Sequence, residues 1–141
     1  MAEWRGAAAV CINGQHELLM VLQGKPEEKK TWTVPSGGLF HGESIEQCCE
    51  RETLEETGYI IHVRERLQTK RGRIGKTDIH VEYFSCTVTG GKMQIQDPDH
   101  FIHEVRWVSQ DDLIELALSF PEDQPFLNQW LTKKKQGVDG T

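Results

Sequence analysis

Residues 44–58 constrain the fold most strongly, because the sequence marks both ends of a helix there. Ser44 followed by Gln47 makes a capping box, in which each side chain satisfies a backbone N–H at the start of a helix. Gly58 is the residue type that most readily ends a helix in the left-handed conformation. The pattern predicts a helix over Ile45–Thr57, about 20 Å long at ~1.5 Å per residue.

Short apolar runs surround this helix and predict the rest of the fold. Runs 7–12 and 18–22 are separated by a polar turn and predict a hairpin. Further strands are predicted over 79–88 and 101–108, and further helices near 111–118 and after Pro121. The expected fold class is therefore a mixed α/β (α+β) sandwich. We expect a single domain over 1–135 and a disordered C-terminal tail over 136–141.

The composition limits the class of partner. The chain has 141 residues, of which 37% are hydrophobic and 27% charged, as expected for a globular domain with one core. Its net charge of −6 argues against DNA as a partner, because binding to phosphate backbones requires clustered Lys and Arg. No apolar run approaches the ~18 residues of a membrane span. The four cysteines lack a CxxC pair, which favours a cytoplasmic protein with reduced thiols.

Three carboxylates share one face of the predicted helix. Glu52, Glu55 and Glu56 stand at positions i, i+3 and i+4, near the helix end where the macrodipole disfavours negative charge. Arg51 relieves little of this repulsion, since an exposed ion pair contributes only ~0.3–0.5 kcal/mol. The spacing alone leaves two interpretations open, a solvated acidic face or the ligands of a hard divalent cation such as magnesium.

The residues around these glutamates resemble the Nudix box, the signature motif of the Nudix hydrolases, and the small single-domain size resembles the MutT-like members of that family. Gly37, Glu43 and the run from Arg51 to Gly58 match every fixed position of that motif. Thr53 and Tyr59 occupy positions that are usually aliphatic in the family. The flanking segments 32–35 and 104–107 are also similar to the family, so the resemblance covers about residues 5–118.

The resemblance implies an α/β/α sandwich, with a mixed β-sheet flanked by helices and the box forming a loop, helix and loop. It also implies that the three glutamates bind Mg²⁺ or Mn²⁺ together with backbone oxygen near Ser36 and Gly37. Ser36 stands where many relatives carry glycine, but a backbone contact does not depend on the side chain. Arg51 and Glu43 would complete the catalytic set by bracing the box through a salt bridge.

The implied reaction is Mg-dependent hydrolysis of a pyrophosphate bond in a nucleoside diphosphate linked to another moiety. The first candidate substrate is a nucleoside triphosphate. Alternatives are ADP-ribose or a nucleotide sugar, an RNA 5′ end, or no reaction at all in a nucleotide-binding regulatory module. Gly75 and Lys76 occupy the positions where some relatives carry a substrate-specific residue, and neither matches. A monomer or a homodimer is expected.

Several residues outside the box are candidates for substrate contacts. Trp32 is a candidate for stacking on a base, with core packing as the alternative. Lys25 and Arg71 belong to basic clusters that would steer a polyphosphate, with a solvated loop as the alternative. Within the box, Glu52 or Glu55 is the first candidate for the general base. Acids outside the box that are candidates for this role are Glu82, Asp97, Asp99 and Glu104.

Overall fold

The computed structural model describes residues 2–98 and 100–137. The strands are β1 (Ala2–Cys11), β2 (Leu18–Gln23), β3 (Thr31–Thr33), β4 (Ser36–Gly38), β5 (Tyr59–Ile74), β6 (Thr77–Gly91) and β7 (Ile102–Val108). The helices are α1 (Ile45–Thr57), α2 (Gln110–Glu115) and α3 (Gln124–Gln136), and a 3₁₀ turn at Pro121–Asp123 precedes α3. In the described part of the chain, no helix is long and apolar enough to cross a membrane.

The strands form two sheets. The larger sheet has the order β4-β1-β6-β5 and is mixed, because β1 runs parallel to β6 and antiparallel to β4. The smaller sheet has the order β3-β2-β7 and is antiparallel. In the larger sheet Ala7 lies beside Gly37 on one side and Glu82 on the other, which brings the glycine-rich segment next to the centre of the sheet.

Helices cover both faces of the larger sheet. Successive side chains of β1 point to opposite faces, and each set packs against a different helix or pair of helices. Ala7, Ala9 and Cys11 face α1, where they pack with Cys48 and Cys49. Ala8 and Val10 face the opposite way and pack with residues of α2 and α3, namely Leu113, Leu127 and Leu131. This arrangement confirms the expected fold class, a mixed sheet flanked by helices.

The expected opening hairpin is wrong. The runs 7–12 and 18–22 do form β1 and β2, but these strands share only the bridge between Ile12 and Leu18 and then enter different sheets. Both runs are almost continuously apolar, as in strands that are buried on both faces. Such a run predicts a strand but does not predict which strand pairs with it.

Strand β5 was not predicted from the sequence. It pairs with β6 along nearly its whole length, and Gly75 at the tip adopts a positive φ of 60°. Because β5 is the edge strand of its sheet, much of it is exposed and carries charged side chains rather than an apolar alternation. The basic residues that suggested a solvated loop therefore lie on a strand, Arg71 among them.

Helix α1 has the predicted bounds and caps. The Ser44 side chain accepts a hydrogen bond from the Gln47 backbone, and Gln47 accepts one in return from the Ser44 backbone. Gly58 adopts a φ of 84°, and a Cβ there would lie 2.1 Å from the carbonyl oxygen of Lys92. At the C-terminus, α3 continues through Gln136, the first residue of the predicted tail, and residues 138–141 lie outside the described residues.

Candidate metal centre and substrate cleft

The glycine-rich strand β4 meets two of the glutamates of α1. The Glu52 carboxylate rests against Gly37 so closely that a Cβ there would lie 2.0 Å from Oε2 of Glu52. One residue earlier, the backbone N–H of Ser36 donates to Oε1 of Glu56 at 3.3 Å. Glycine at position 37 therefore lets α1 bring its carboxylates onto the backbone of β4, as the resemblance implies.

The electrostatics of this site favour a bound cation. Glu56 is only 7% exposed, and burial followed by repulsion from Glu52 raises its pKa well above the usual range. Burial also raises the pKa of Glu52, although Arg51 opposes the shift. Glu55 is more accessible at the edge of the site. Two adjacent carboxylates, one buried and one half-buried, destabilise each other unless a proton or a cation lies between them.

Arg51 holds the loop that precedes α1 against the helix. Its guanidinium binds both oxygens of Glu43, at 2.6 and 3.0 Å, and also donates to the carbonyl of Gly38 at 2.9 Å. A third nitrogen contacts Oε1 of Glu52 at 2.7 Å. This pairing lowers the pKa of Glu43 and leaves Arg51 fixed over the ring of Phe40. The braced box is thus a rigid support that orients Glu52.

The donor set fits a hard divalent cation. Within residues 2–98 and 100–137, no group of three or more His, Cys, Asp and Glu side chains forms a ready-made metal cage. Magnesium does not need one, since it usually takes one or two carboxylates and completes its shell with water and phosphate oxygens. Glu52 and Glu56 supply such carboxylates, and Glu55 lies one turn from Glu52 on the accessible side.

A cleft of about 660 Å³ lies on the face of the larger sheet that is opposite to α1. Ala8, Val81 and Tyr83 line its apolar wall. Ser36 lines the same cleft, and its N–H contacts Glu56, so the cleft and the carboxylates meet at the edge strand β4. The further polar or aromatic residues at the cleft are Trp4, Lys70, Arg71, Arg73, Phe120 and Glu122.

The candidate substrate residues lie in very different places. Arg71 lines the cleft, but Trp32 is only 7% exposed, belongs to the core beneath α3 and is covered by Arg106. The structure therefore does not bring Trp32 to the cleft. Lys25 lies in the surface loop before β3, where its backbone N–H binds Glu28, and it is not among the residues that line the cleft.

The candidate acids outside the box are also separated. Glu82 is buried on the α1 face of the sheet, where it accepts a hydrogen bond from the Thr69 hydroxyl at 2.6 Å. Glu104 is exposed on β7 and pairs with Arg106. Asp97 lies near enough to Glu56 to raise the pKa of that residue. Asp99 lies outside the described residues.

An ion-pair network beside the cleft, in which only Asp123 of the ionised side chains is buried, was missed from the sequence. The Nζ atom of Lys70 lies 2.7 Å from Asp123 and 2.9 Å from Glu122, and the Tyr83 hydroxyl donates to Asp123 at 2.6 Å. Burial alone would lower the pKa of Lys70, but the two carboxylates raise it. The network fastens β5 to the 3₁₀ turn. Its partners are about fifty residues apart in sequence, and no local pattern connects them.

Comparisons with known proteins agree with this geometry. The family model of the NUDIX domain matches residues 3–130. A putative nudix hydrolase 1 of Caenorhabditis elegans is 31% identical over 110 residues, which cover 76% of this chain and 29% of that protein. Nudix hydrolase 5 of Arabidopsis thaliana is 29% identical over 130 residues, covering 88% of this chain and 39% of that protein. The chain thus spans well under half the length of these two relatives.

Solved structures share the fold. A NUDIX hydrolase from Nitrosomonas europaea superposes with a TM-score of 0.77 at 24% identity, covering 96% of this chain and 90% of that one. A MutT protein from Methanosarcina mazei superposes with a TM-score of 0.73 at 16% identity, and each chain is covered to 96%. Because the family model matches most of the sequence and includes the whole box, the chain belongs to the NUDIX domain family.

Proposed function

We propose that the protein hydrolyses the pyrophosphate link of a nucleoside diphosphate derivative with the help of bound Mg²⁺ or Mn²⁺. The observation that carries this proposal is the contact between Ser36 and Glu56. Through it, an apolar cleft large enough for a nucleoside adjoins the buried Glu56 and the half-buried Glu52, carboxylates suited to a metal that binds phosphate. The base and ribose would lie in the cleft and the phosphates at the edge of β4.

Glu52 and Glu56 would hold the cation, and Glu55 would contribute on the accessible side. The bound ion would supply neutralisation of the charge that builds on the phosphoryl oxygens during the reaction. Arg51 touches Glu52 and Glu43 together, so its role is to keep the Glu52 carboxylate oriented. Arg71 and Arg73 line the cleft from β5, the edge strand opposite to β4, so their positive charge would steer an anionic substrate toward the cleft without holding its phosphates.

Glu55 is the first candidate for the group that accepts a proton from the attacking water. It is the most accessible of the three box glutamates, and its contact with Arg51 is long, at 3.4 Å. Glu52 is held by Arg51 and by the backbone of Gly37, which leaves it less free to act as a base. Asp97 is the alternative, because its charge lies near enough to Glu56 to help raise the pKa of that residue.

Nucleoside triphosphates are the first substrates to test. The name of a Bacillus subtilis relative, 28% identical over 105 residues, describes it as a putative 8-oxo-dGTP diphosphatase. A structural neighbour from C. elegans is described as an Ap4A hydrolase. ADP-ribose, nucleotide sugars and RNA 5′ ends remain alternative substrates. The alternative from another class is a non-catalytic binding module, against which the sequence retains all the box carboxylates. We also infer a cytoplasmic protein that acts as a monomer or homodimer.

The decisive experiment is a hydrolysis screen in Mg²⁺ and in EDTA. The panel contains nucleoside triphosphates, ADP-ribose, nucleotide sugars, dinucleoside polyphosphates and RNA with a 5′ triphosphate, with chromatographic identification of the products. We expect a nucleoside monophosphate and pyrophosphate from at least one triphosphate, with no turnover in EDTA. Glu56→Gln is the inactive control. Absence of Mg-dependent hydrolysis across the panel would favour the binding-module alternative.

A further inference from the structure

Trp4 is an aromatic side chain on β1 that the metal centre does not use. It is 40% exposed and lines the cleft. One side of its ring system rests on glycine backbone, since a Cβ at Gly6 would lie 2.5 Å from Cη2 of Trp4 and a Cβ at Gly38 would lie 3.1 Å from Nε1. Gly6 and Gly38 are direct partners in the β1–β4 ladder. Side chains at these positions would displace the indole, so the two glycines let it lie flat.

Aromatic and aliphatic side chains line the rest of the cleft and suit a planar apolar ligand. Phe120, 43% exposed, lines the same cavity, and Ile79 and Val81 add aliphatic surface. The Nζ atom of Lys70 lies 4.7 Å from the centre of the Phe120 ring while it pairs with Asp123, which restrains that ring. Exposed aromatic side chains collected in one cavity mark a ligand site rather than a solvated surface.

Trp4 and the Glu52 carboxylate lie against neighbouring residues of β4. The indole contacts Gly38, whereas the Glu52 carboxylate contacts the next residue, Gly37, from the other face. Successive residues of a strand are ~3.3 Å apart and point to opposite faces. Because β4 is an edge strand, a ligand can lie on Trp4 and still extend around that edge to Glu52.

We propose that Trp4 is the platform on which the nucleobase of the substrate stacks, and that it sets the preference for purine over pyrimidine nucleotides. This inference rests on the proposed function and deepens it. Stacking on an indole grows with the overlapping ring area, so a bicyclic purine gains more from Trp4 than a pyrimidine does. The phosphates do not touch Trp4, so its loss weakens binding while the chemical step is preserved.

The test compares wild type with Trp4→Leu, Trp4→Phe and Trp130→Leu. Trp130 is the matched control, since its ring on α3 packs against Lys133 and does not line the cleft. For a purine triphosphate, we expect Trp4→Leu to raise KM about tenfold or more with kcat within about threefold, as loss of one stacking contact predicts. KM for a pyrimidine triphosphate should rise less, and Trp4→Phe should restore most of the purine affinity. Trp130→Leu should match wild type.

Binding of a purine nucleoside monophosphate gives a second measurement that does not depend on hydrolysis. The indole N–H resonance that disappears in Trp4→Phe should shift in wild type when the monophosphate is added, even if Trp4→Leu fails to fold. If wild type is active but its Trp4 resonance does not shift and Trp4→Leu leaves KM unchanged, the stacking role of Trp4 is wrong while the proposed hydrolysis stands. An inactive wild type in which the Trp4 resonance still shifts would overturn the proposed hydrolysis and support the platform.

Discussion

Oε1 of Glu56 lies 3.3 Å from the backbone nitrogen of Ser36, although almost all of Glu56 is buried. This contact offsets part of the cost of burying the carboxylate, but the loss of water and then the adjacent Glu52 outweigh it, and the pKa of Glu56 is raised. The fold therefore retains an unfavourable charge at the junction of helix and cleft. Functional sites commonly contain a residue that lowers the stability of the fold when the ligand is absent.

Replacing Glu56 by Gln should stabilise the metal-free protein while abolishing turnover. The amide keeps an oxygen for the Ser36 N–H and offers a donor to Glu52, so the buried charge is removed without a cavity. We expect the free energy of unfolding in EDTA to rise by about 1–2 kcal/mol, or the melting temperature by roughly 5 °C. Addition of Mg²⁺ should raise the melting temperature of wild type more than that of Glu56→Gln.

The same substitution has a defined pH dependence. Because the pKa of Glu56 in the folded state lies above its ordinary value of 4.5, the folded carboxyl binds its proton more tightly than the unfolded one. The penalty is absent below pH 4.5 and grows as pH rises toward the folded pKa. The stability gain of Glu56→Gln should therefore be small near pH 4 and larger at pH 7. Glu50→Gln, on the same helix, is the control and should show no such trend.

Gly37→Ala tests the close approach of α1 to β4. The new methyl would occupy the place of the Glu52 carboxylate, which is a flexible group and can move away. We expect turnover to fall about 10²-fold, in line with a displaced metal ligand, while the melting temperature changes by only a few degrees. Gly14→Ala is the matched control, because nothing lies within 4 Å of a Cβ there. Full activity in Gly37→Ala would contradict a role for Glu52 in metal binding.

Arg51→Lys tests whether the guanidinium geometry, and not charge alone, orients Glu52. An ammonium cannot reach both oxygens of Glu43 together with Glu52 and the Gly38 carbonyl. We expect kcat to fall about tenfold or more and the unfolding free energy to drop by about 1–2 kcal/mol. Raising the Mg²⁺ concentration should recover part of the lost activity if Glu52 is merely misdirected. Wild-type kcat in this variant would show that a positive charge suffices.

Features encoded in neighbouring residues were predictable. The caps of α1 need only Ser44, Gln47 and Gly58, and helix periodicity then fixes which glutamates share a face. The pairing of Arg51 with Glu43 was available only through the resemblance, because Glu43 precedes the helix and the helical period therefore does not relate the two positions.

Features that depend on distant pairing were not predictable. Trp32 was a candidate for base stacking with core packing as the alternative, and the pairing of its strand with β2 buries it. Trp4 lies against Gly6 of its own strand and Gly38 of the neighbouring strand β4, and only the second contact depends on pairing between distant segments. Strand β5 was not predicted because, as an exposed edge strand, it carries charged side chains on both faces. These charges remove the alternation of apolar and polar residues that identifies a half-buried strand.

Lys70→Met tests the network that joins β5 to the 3₁₀ turn. The substitution leaves the buried carboxylate of Asp123 with the Tyr83 hydroxyl as a donor but without its cation. We expect a loss of about 2 kcal/mol in unfolding free energy, discounted from the ~3–5 kcal/mol for a fully buried pair because Lys70 is partly exposed.

A double-variant cycle tests whether Lys70 and Asp123 act together. Asp123→Asn alone should also destabilise the protein, but the double variant should lose less unfolding free energy than the sum of the two single variants, by about 1 kcal/mol or more. Lys76→Met, on the tip of the same hairpin, should leave stability unchanged. If the losses of unfolding free energy in the two single variants simply add in the double variant, Lys70 and Asp123 act independently. The pairing of Lys70 with Asp123 would then not be what restrains the Phe120 ring.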